Sequence, residues 1–122
     1  MPTIRHHAER QDRQLYAGLI RLHILHHASE EPIFGFGIIE ELARHGYKLS
    51  GGSLYPILHG MERKGYLRSV EERSGKWARR VYRATPLGRA VLADAREKVI
   101  ELFGELFEDK ASSRSRKSLR RG

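Results

Sequence analysis

Leu49-Ser-Gly-Gly-Ser-Leu-Tyr-Pro-Ile-Leu-His-Gly-Met-Glu-Arg-Lys-Gly-Tyr-Leu67 is the most informative stretch of this 122-residue chain. Leu54, Ile57, Leu58 and Met61 recur at three- and four-residue steps, which places them on one face of a helix closed by Gly65. Either Ser50 or Ser53 suits the N-cap, and Pro56 in the second turn favours the later start or a slight bend. In both cases two Ser and two Gly open the helix. Residues this small let unpaired amides approach a phosphate closely.

Upstream, residues 36–45 form a shorter periodic run with apolar positions at Phe36, Ile39, Leu42 and Ala43, and Gly46 stands where a left-handed cap belongs. Before it, the spacing predicts a buried first helix over 13–28, its stripe made by Leu15, Leu19, Leu22 and His26 and widened by Ile20, Ile24 and Leu25. Glu30-Glu31-Pro32 ends it, because proline biases the preceding residue away from helical angles. Downstream, residues 67–73 and 77–84 flank Ser74-Gly75-Lys76, the pattern of a β-hairpin. Thr85-Pro86 then supplies an N-cap and a first-turn proline for a helix over 86–108, about 34 Å long at 1.5 Å per residue. That helix carries Leu87, Val91, Ala95, Val99, Leu102 and Leu106 beside a second stripe of Leu92, Ile100, Phe103 and Phe107, more apolar surface than a small core covers.

The order helix, helix, helix, hairpin, helix is that of a winged helix-turn-helix: mostly α, with a small β-hairpin wing and a long C-terminal helix. The expected organisation is a flexible arm over 1–12, the winged domain over 13–85, a dimerisation helix over 86–108 and a disordered basic tail over 109–122, whose composition buries too little to offset its entropy. In such motifs the second helix of the pair enters the major groove and its leading residues meet base edges, while the hairpin lies along the backbone or minor groove. The candidate DNA-binding residues are therefore Ser50, Gly51, Gly52, Ser53 and Tyr55 at the helix tip, Arg63 and Lys64 at its end, and Arg73, Lys76, Arg79 and Arg80 in the wing.

Charge placement agrees. The formal net charge is +8, and residues 110–122 hold Lys110, Arg114, Arg116, Lys117, Arg120 and Arg121 with no acid. Residues 63–83 hold eight basic residues against Glu71 and Glu72. A polyanion would meet the middle and the tail. The absence of Cys excludes disulfides and thiolate metal sites. With no signal-like or membrane-length apolar run, the expected location is the cytoplasm, on the nucleoid, with no membrane partner. No nucleophile elbow and no phosphate-binding Gly loop ending in Lys-Ser/Thr is present, so the expectation is no enzyme and no cofactor. His23, His26 and His27 lie at helical spacings, but nothing with carboxylate or thiolate character in the expected helix completes a tetrahedral site. They are read as surface or dimer-interface residues and no metal is assigned. Trp77 is expected to pack the wing onto the domain.

The quoted segment also resembles the signature of the PadR family of transcriptional regulators. Phe34-Gly-Phe-Gly-Ile-Ile-Glu-Glu-Leu42 is similar to that family's second helix, and Val81-Tyr-Arg-Ala-Thr-Pro-Leu-Gly88 to its wing exit. The likeness spans about residues 14–108; Phe36 stands where the family commonly has Tyr, and Gly51 where it commonly has Pro. It implies a homodimeric repressor that binds a palindromic operator in double-stranded DNA, paired through its C-terminal helix at Val91, Ala95, Val99, Leu102, Phe103, Leu106 and Phe107. It also implies a possible small aromatic or hydrophobic effector near the dimer interface, with Leu15, Leu19, Phe103 and Phe107 as candidate lining residues, although packing is the commoner role for such a stripe. Two other readings stay open: a nonspecific basic nucleic-acid binder driven by the tail, and a winged helix used as a protein-interaction module.

Overall fold

The computed structural model describes residues 13–108; the expected arm over 1–12 and the tail over 109–122 lie outside the described residues. After a helical turn at 13–15 the elements run α1 (Ala17–Glu30), β1 (Ile33–Phe34), α2 (Gly35–Arg44), α3 (Gly51–Arg63), β2 (Leu67–Ser74), β3 (Trp77–Ala84) and α4 (Pro86–Phe107). The architecture is mostly helical with a three-stranded antiparallel sheet in the order β1-β3-β2, the wing of a winged helix.

Helices α2 and α3 end alike. After α2, the Gly46 amide donates to the Ala43 carbonyl and the Tyr47 amide to Leu42, while Gly46 takes a φ of 91°. After α3, Gly65 at φ 84° and Tyr66 repeat the pattern onto Glu62 and Met61. These paired bonds use carbonyls that a helix end otherwise leaves orphaned, and the left-handed φ explains the glycines. At the N-terminus of α4 the Thr85 hydroxyl accepts from the Gly88 amide at 2.9 Å, the expected cap.

Three features differ from expectation, and the start of α3, left open between Ser50 and Ser53, falls at one of the two. On α1 the buried face is Ile20, Ile24, Leu25 and Ala28, whereas Leu15, Leu19 and His26 are exposed. The helix is apolar on more than one side, so spacing alone does not choose the inward face. On α2, which begins one residue early, Gly35, Ile38 and Leu42 turn inward, with Gly35 set against Tyr55, and Phe36 is 66% exposed. Helix α3 takes the earlier start, with Ser50 as N-cap, and accommodates Pro56 inside it. Strand β1 was not foreseen: two residues pair Ile33 with Tyr82 and Phe34 with Val81.

The chain divides into two compact units at Leu92 and Ala93. In the first, the core gathers Ile20, Ile24, Leu25, Ile38, Leu42, Leu54, Leu58, Met61, Leu67 and Tyr82, each side chain worth about 1.5–3 kcal/mol of burial where fully enclosed. Val91 and Leu92, on the first turns of α4, pack against this core. In the second, residues 93–107 leave Ile100, Leu102, Phe103, Leu106 and Phe107 each more than half exposed. Among the described residues no helix is long and apolar enough to cross a membrane.

Candidate nucleic-acid interface

The tip of α3 is built from its cap outward. The Ser50 hydroxyl accepts from the Ser53 amide at 3.3 Å, which satisfies one of the donors a helix start leaves unpaired. The amides of Gly51 and Gly52 stand beside it without a bulky side chain, and no acidic residue occupies the first turn. Arg13 donates from Nη1 to the Ser53 hydroxyl at 3.2 Å, bringing a cation to the positive end of the helix dipole. That arginine went unassigned from the sequence, since nothing in the local helical pattern ties it to a position 40 residues away.

Leu54, Leu58 and Met61 face inward, leaving Gly52, Tyr55, Pro56, His59 and Arg63 as the exposed face of α3. Pro56 and His59 also went unassigned, although they follow as the complement of the buried stripe. Tyr55 is 41% exposed and lies across Gly35, so close that a Cβ there would sit 2.1 Å from its hydroxyl. Arg63 and Lys64 stand at the opposite end of the helix, about 18 Å along the axis from Gly51, so the predicted residues form two separate groups.

In the wing, Ser74 pairs with Trp77, so the connection is the two-residue turn Gly75-Lys76. Gly75, at φ 64° in the first turn position, matches a type II′ hairpin. Cross-strand pairs share a face, and the register Glu72↔Arg79 and Glu71↔Arg80 puts the two neighbouring arginines on opposite faces. Arg80 donates to the Ser69 hydroxyl at 3.1 Å, and both the hydroxyl and the amide of Ser69 donate to Glu62 Oε2, at 2.7 and 3.2 Å. This chain ties the base of the wing to the last turn of α3. Arg79 pairs with Glu72 at 3.0 Å and lies 4.1 Å over the Phe34 ring. Arg73 pairs with Glu71 at 3.2 Å, while Lys76, Arg63 and Lys64 have no acidic partner among the described residues. Trp77 is 58% exposed, so it does not pack the wing onto the domain as expected; the Arg79 guanidinium stands 5.9 Å from its ring.

Tyr82 lies beneath this network, fully buried, and its hydroxyl has no hydrogen-bond partner among the described residues. Burial raises its pKa above the ordinary tyrosine value, and the nearby Glu62 carboxylate adds to the rise while Arg80 opposes it.

Residues 24–94 match the Transcriptional regulator PadR-like family, a span that contains α2, α3, the wing and the start of α4. The chain belongs to the PadR-like family of transcriptional regulators. A PadR-like assignment agrees with a Mycobacterium tuberculosis protein named Transcriptional regulator Rv3488, 47% identical over 95 residues that cover 78% of this chain and 89% of that protein. Among solved structures, a PadR family transcriptional regulator from Eggerthella lenta superposes with a TM-score of 0.72 at 25% identity, covering 90% of this chain and all of that one. A PadR-like transcriptional regulator from Bacillus cereus shares the fold with a TM-score of 0.68 at 24% identity, covering 80% and 99% of the two chains.

Proposed function

We propose that this PadR-like chain is a sequence-specific DNA-binding repressor, a binding protein and not an enzyme, that works as a homodimer on a palindromic operator. The first turn and exposed face of α3 would enter the major groove, and the β2–β3 hairpin would follow the phosphate backbone or minor groove. The observation that carries this reading is the tip of α3: small residues, a serine cap, no acid and Arg13 alongside. Such a tip suits a phosphate and brings the outward residues Tyr55, Pro56 and His59 toward base edges. Lys76 at the hairpin turn, without an acidic partner, suits a backbone contact.

Dimerisation is supported by the exposed apolar residues Val99, Leu102, Phe103, Leu106 and Phe107, with Ala95 half-buried on the same helix. Val91, also expected in that interface, contributes to the winged-helix core instead. A small aromatic or hydrophobic effector has exposed apolar side chains to bind on each unit, Leu15 and Leu19 on the first and the neighbouring Phe103 and Phe107 rings on the second.

The test is selection of a binding site from random duplexes, followed by affinity measurements at fixed salt. A two-fold symmetric site bound at least about 10³-fold more tightly than random sequence supports the proposal. Equal affinity for every duplex favours a nonspecific basic binder, and no binding favours a protein-interaction module. Removing residues 110–122 should lower affinity and flatten its salt dependence while sequence preference survives, because the lost contacts are to phosphates.

A further inference from the structure

His23 and His27 stand about one turn apart on α1, and His45 follows the last turn of α2 beside them. One ring nitrogen from each lies within 4.8 Å of the other two. The His23 and His45 rings stack with centroids 4.5 Å apart, and His27 lies 6.4 Å from the first and 6.1 Å from the second. Glu41, one turn before His45, points Oε2 toward both neighbours, 3.3 Å from His45 Nε2 and 3.9 Å from His27 Nε2. Its other oxygen accepts from Arg44 at 2.7 Å.

We propose that His23, His27 and His45, with the Glu41 carboxylate as anionic partner, form a binding site for a divalent d-block cation such as Zn2+, Co2+ or Ni2+. Imidazole nitrogens suit these ions, whereas Mg2+ and Ca2+ demand oxygen ligands. Nitrogens bound to one Zn2+ at about 2.0–2.1 Å stand roughly 3.3 Å apart in a tetrahedron. Rotation of partly exposed rings closes the difference, and His27 and His45 retain 24% and 42% side-chain exposure, enough for an ion to enter. The backbone at His45 is set in advance, held between the end of α2 and the left-handed Gly46.

The carboxylate that the expected first helix lacked comes from beyond its expected bounds. Helix α1 runs on to Glu30, 3.5 Å from His26, and Glu41 arrives from α2. A second grouping of His26, His27 and Glu30 shares His27, but all its donors come from one helix. The two-helix set is the better site because an ion there would join α1 to the end of α2, immediately before the turn into α3. This assignment stands whether or not the chain reads DNA.

The full-length protein, stripped with chelator, is titrated with Co2+ and then Zn2+. One equivalent of Co2+ should bind with the strong visible bands of tetrahedral coordination, Zn2+ should displace it, and Zn2+ should raise the Tm. His23→Gln and His45→Gln should each abolish the bands and weaken binding at least tenfold, while Glu41→Gln weakens it about 10–100-fold. His26→Gln, and His6→Gln combined with His7→Gln, should leave binding unchanged. His45 is exposed, so the metal-free Tm of His45→Gln should equal that of the parent, which separates loss of a ligand from loss of fold. The proposal is overturned if no saturable binding is seen. It is equally overturned if His45→Gln binds normally, or if binding disappears in His26→Gln or in the His6 and His7 variant.

Discussion

A single methyl group distinguishes two glycines that look equivalent in the sequence. A Cβ at Gly88 would meet the Tyr66 carbonyl oxygen at 2.2 Å, a backbone atom already accepting from the Thr85 amide. Gly88→Ala should therefore destabilise the protein by about 1–3 kcal/mol in a urea melt, overriding the gain of about 1 kcal/mol that alanine normally brings to a helix. At Gly35 the obstacle is the far end of the half-exposed Tyr55 side chain, which can swing away. Gly35→Ala should leave the melt nearly unchanged and weaken DNA binding by displacing Tyr55. Tyr82 offers a pH test. Its pKa is raised in the folded state, so its ionisation opposes folding: stability is intact below about pH 10 and falls as pH rises through the folded value. Tyr82→Phe removes a buried hydroxyl without a described partner, so it should cost little at neutral pH and blunt the alkaline loss, read by circular dichroism against pH.

Among the elements, the wing carries its own counter-ions. Arg79 and Arg73, two of the cations proposed for a phosphate backbone, are engaged by Glu72 across the hairpin and by Glu71 two residues earlier on the same strand. Glu72→Gln should raise affinity for any duplex about two- to fivefold, the scale of one exposed ion pair, and steepen its salt dependence, as measured by fluorescence anisotropy. The unequal legibility of the elements has a physical basis. Helix α3 could be read because it has one apolar face and ends at Gly65, and the hairpin because two strand-like runs flank a turn at Gly75, both glycines having restricted geometry. The inward face of α1 could not, because Leu15 and Leu19 compete with Ile20 and Ile24 in any count of spacings. Strand β1 was hidden for another reason: two residues carry no periodicity, and their pairing depends on a partner about 50 residues away. The same limit hid Arg13 beside Ser53 and His45 beside His23, contacts made by tertiary folding and not by local pattern.

For the molecule as a whole, the proposed dimer rests on the exposed apolar residues of α4. Phe103→Glu together with Leu106→Glu should give a monomer in light scattering, with the melt of the winged-helix core preserved because neither side chain belongs to it. Affinity for a full palindrome should then fall roughly 100-fold or more as the benefit of two linked half-sites is lost. Chain order, the basic middle and the apolar excess of the last helix were all legible at this scale, since each is a property of long stretches. The two-residue strand β1 has the widest reach. By pairing with β3 at Tyr82 and Val81, it fastens the connection between α1 and α2 to the base of the hairpin. The hairpin base is thus braced from two sides, by β1 and by the Glu62–Ser69 bonds from α3. A ligand that engages both helix and hairpin therefore meets a preformed tool, with little ordering entropy left to lose at the moment of contact.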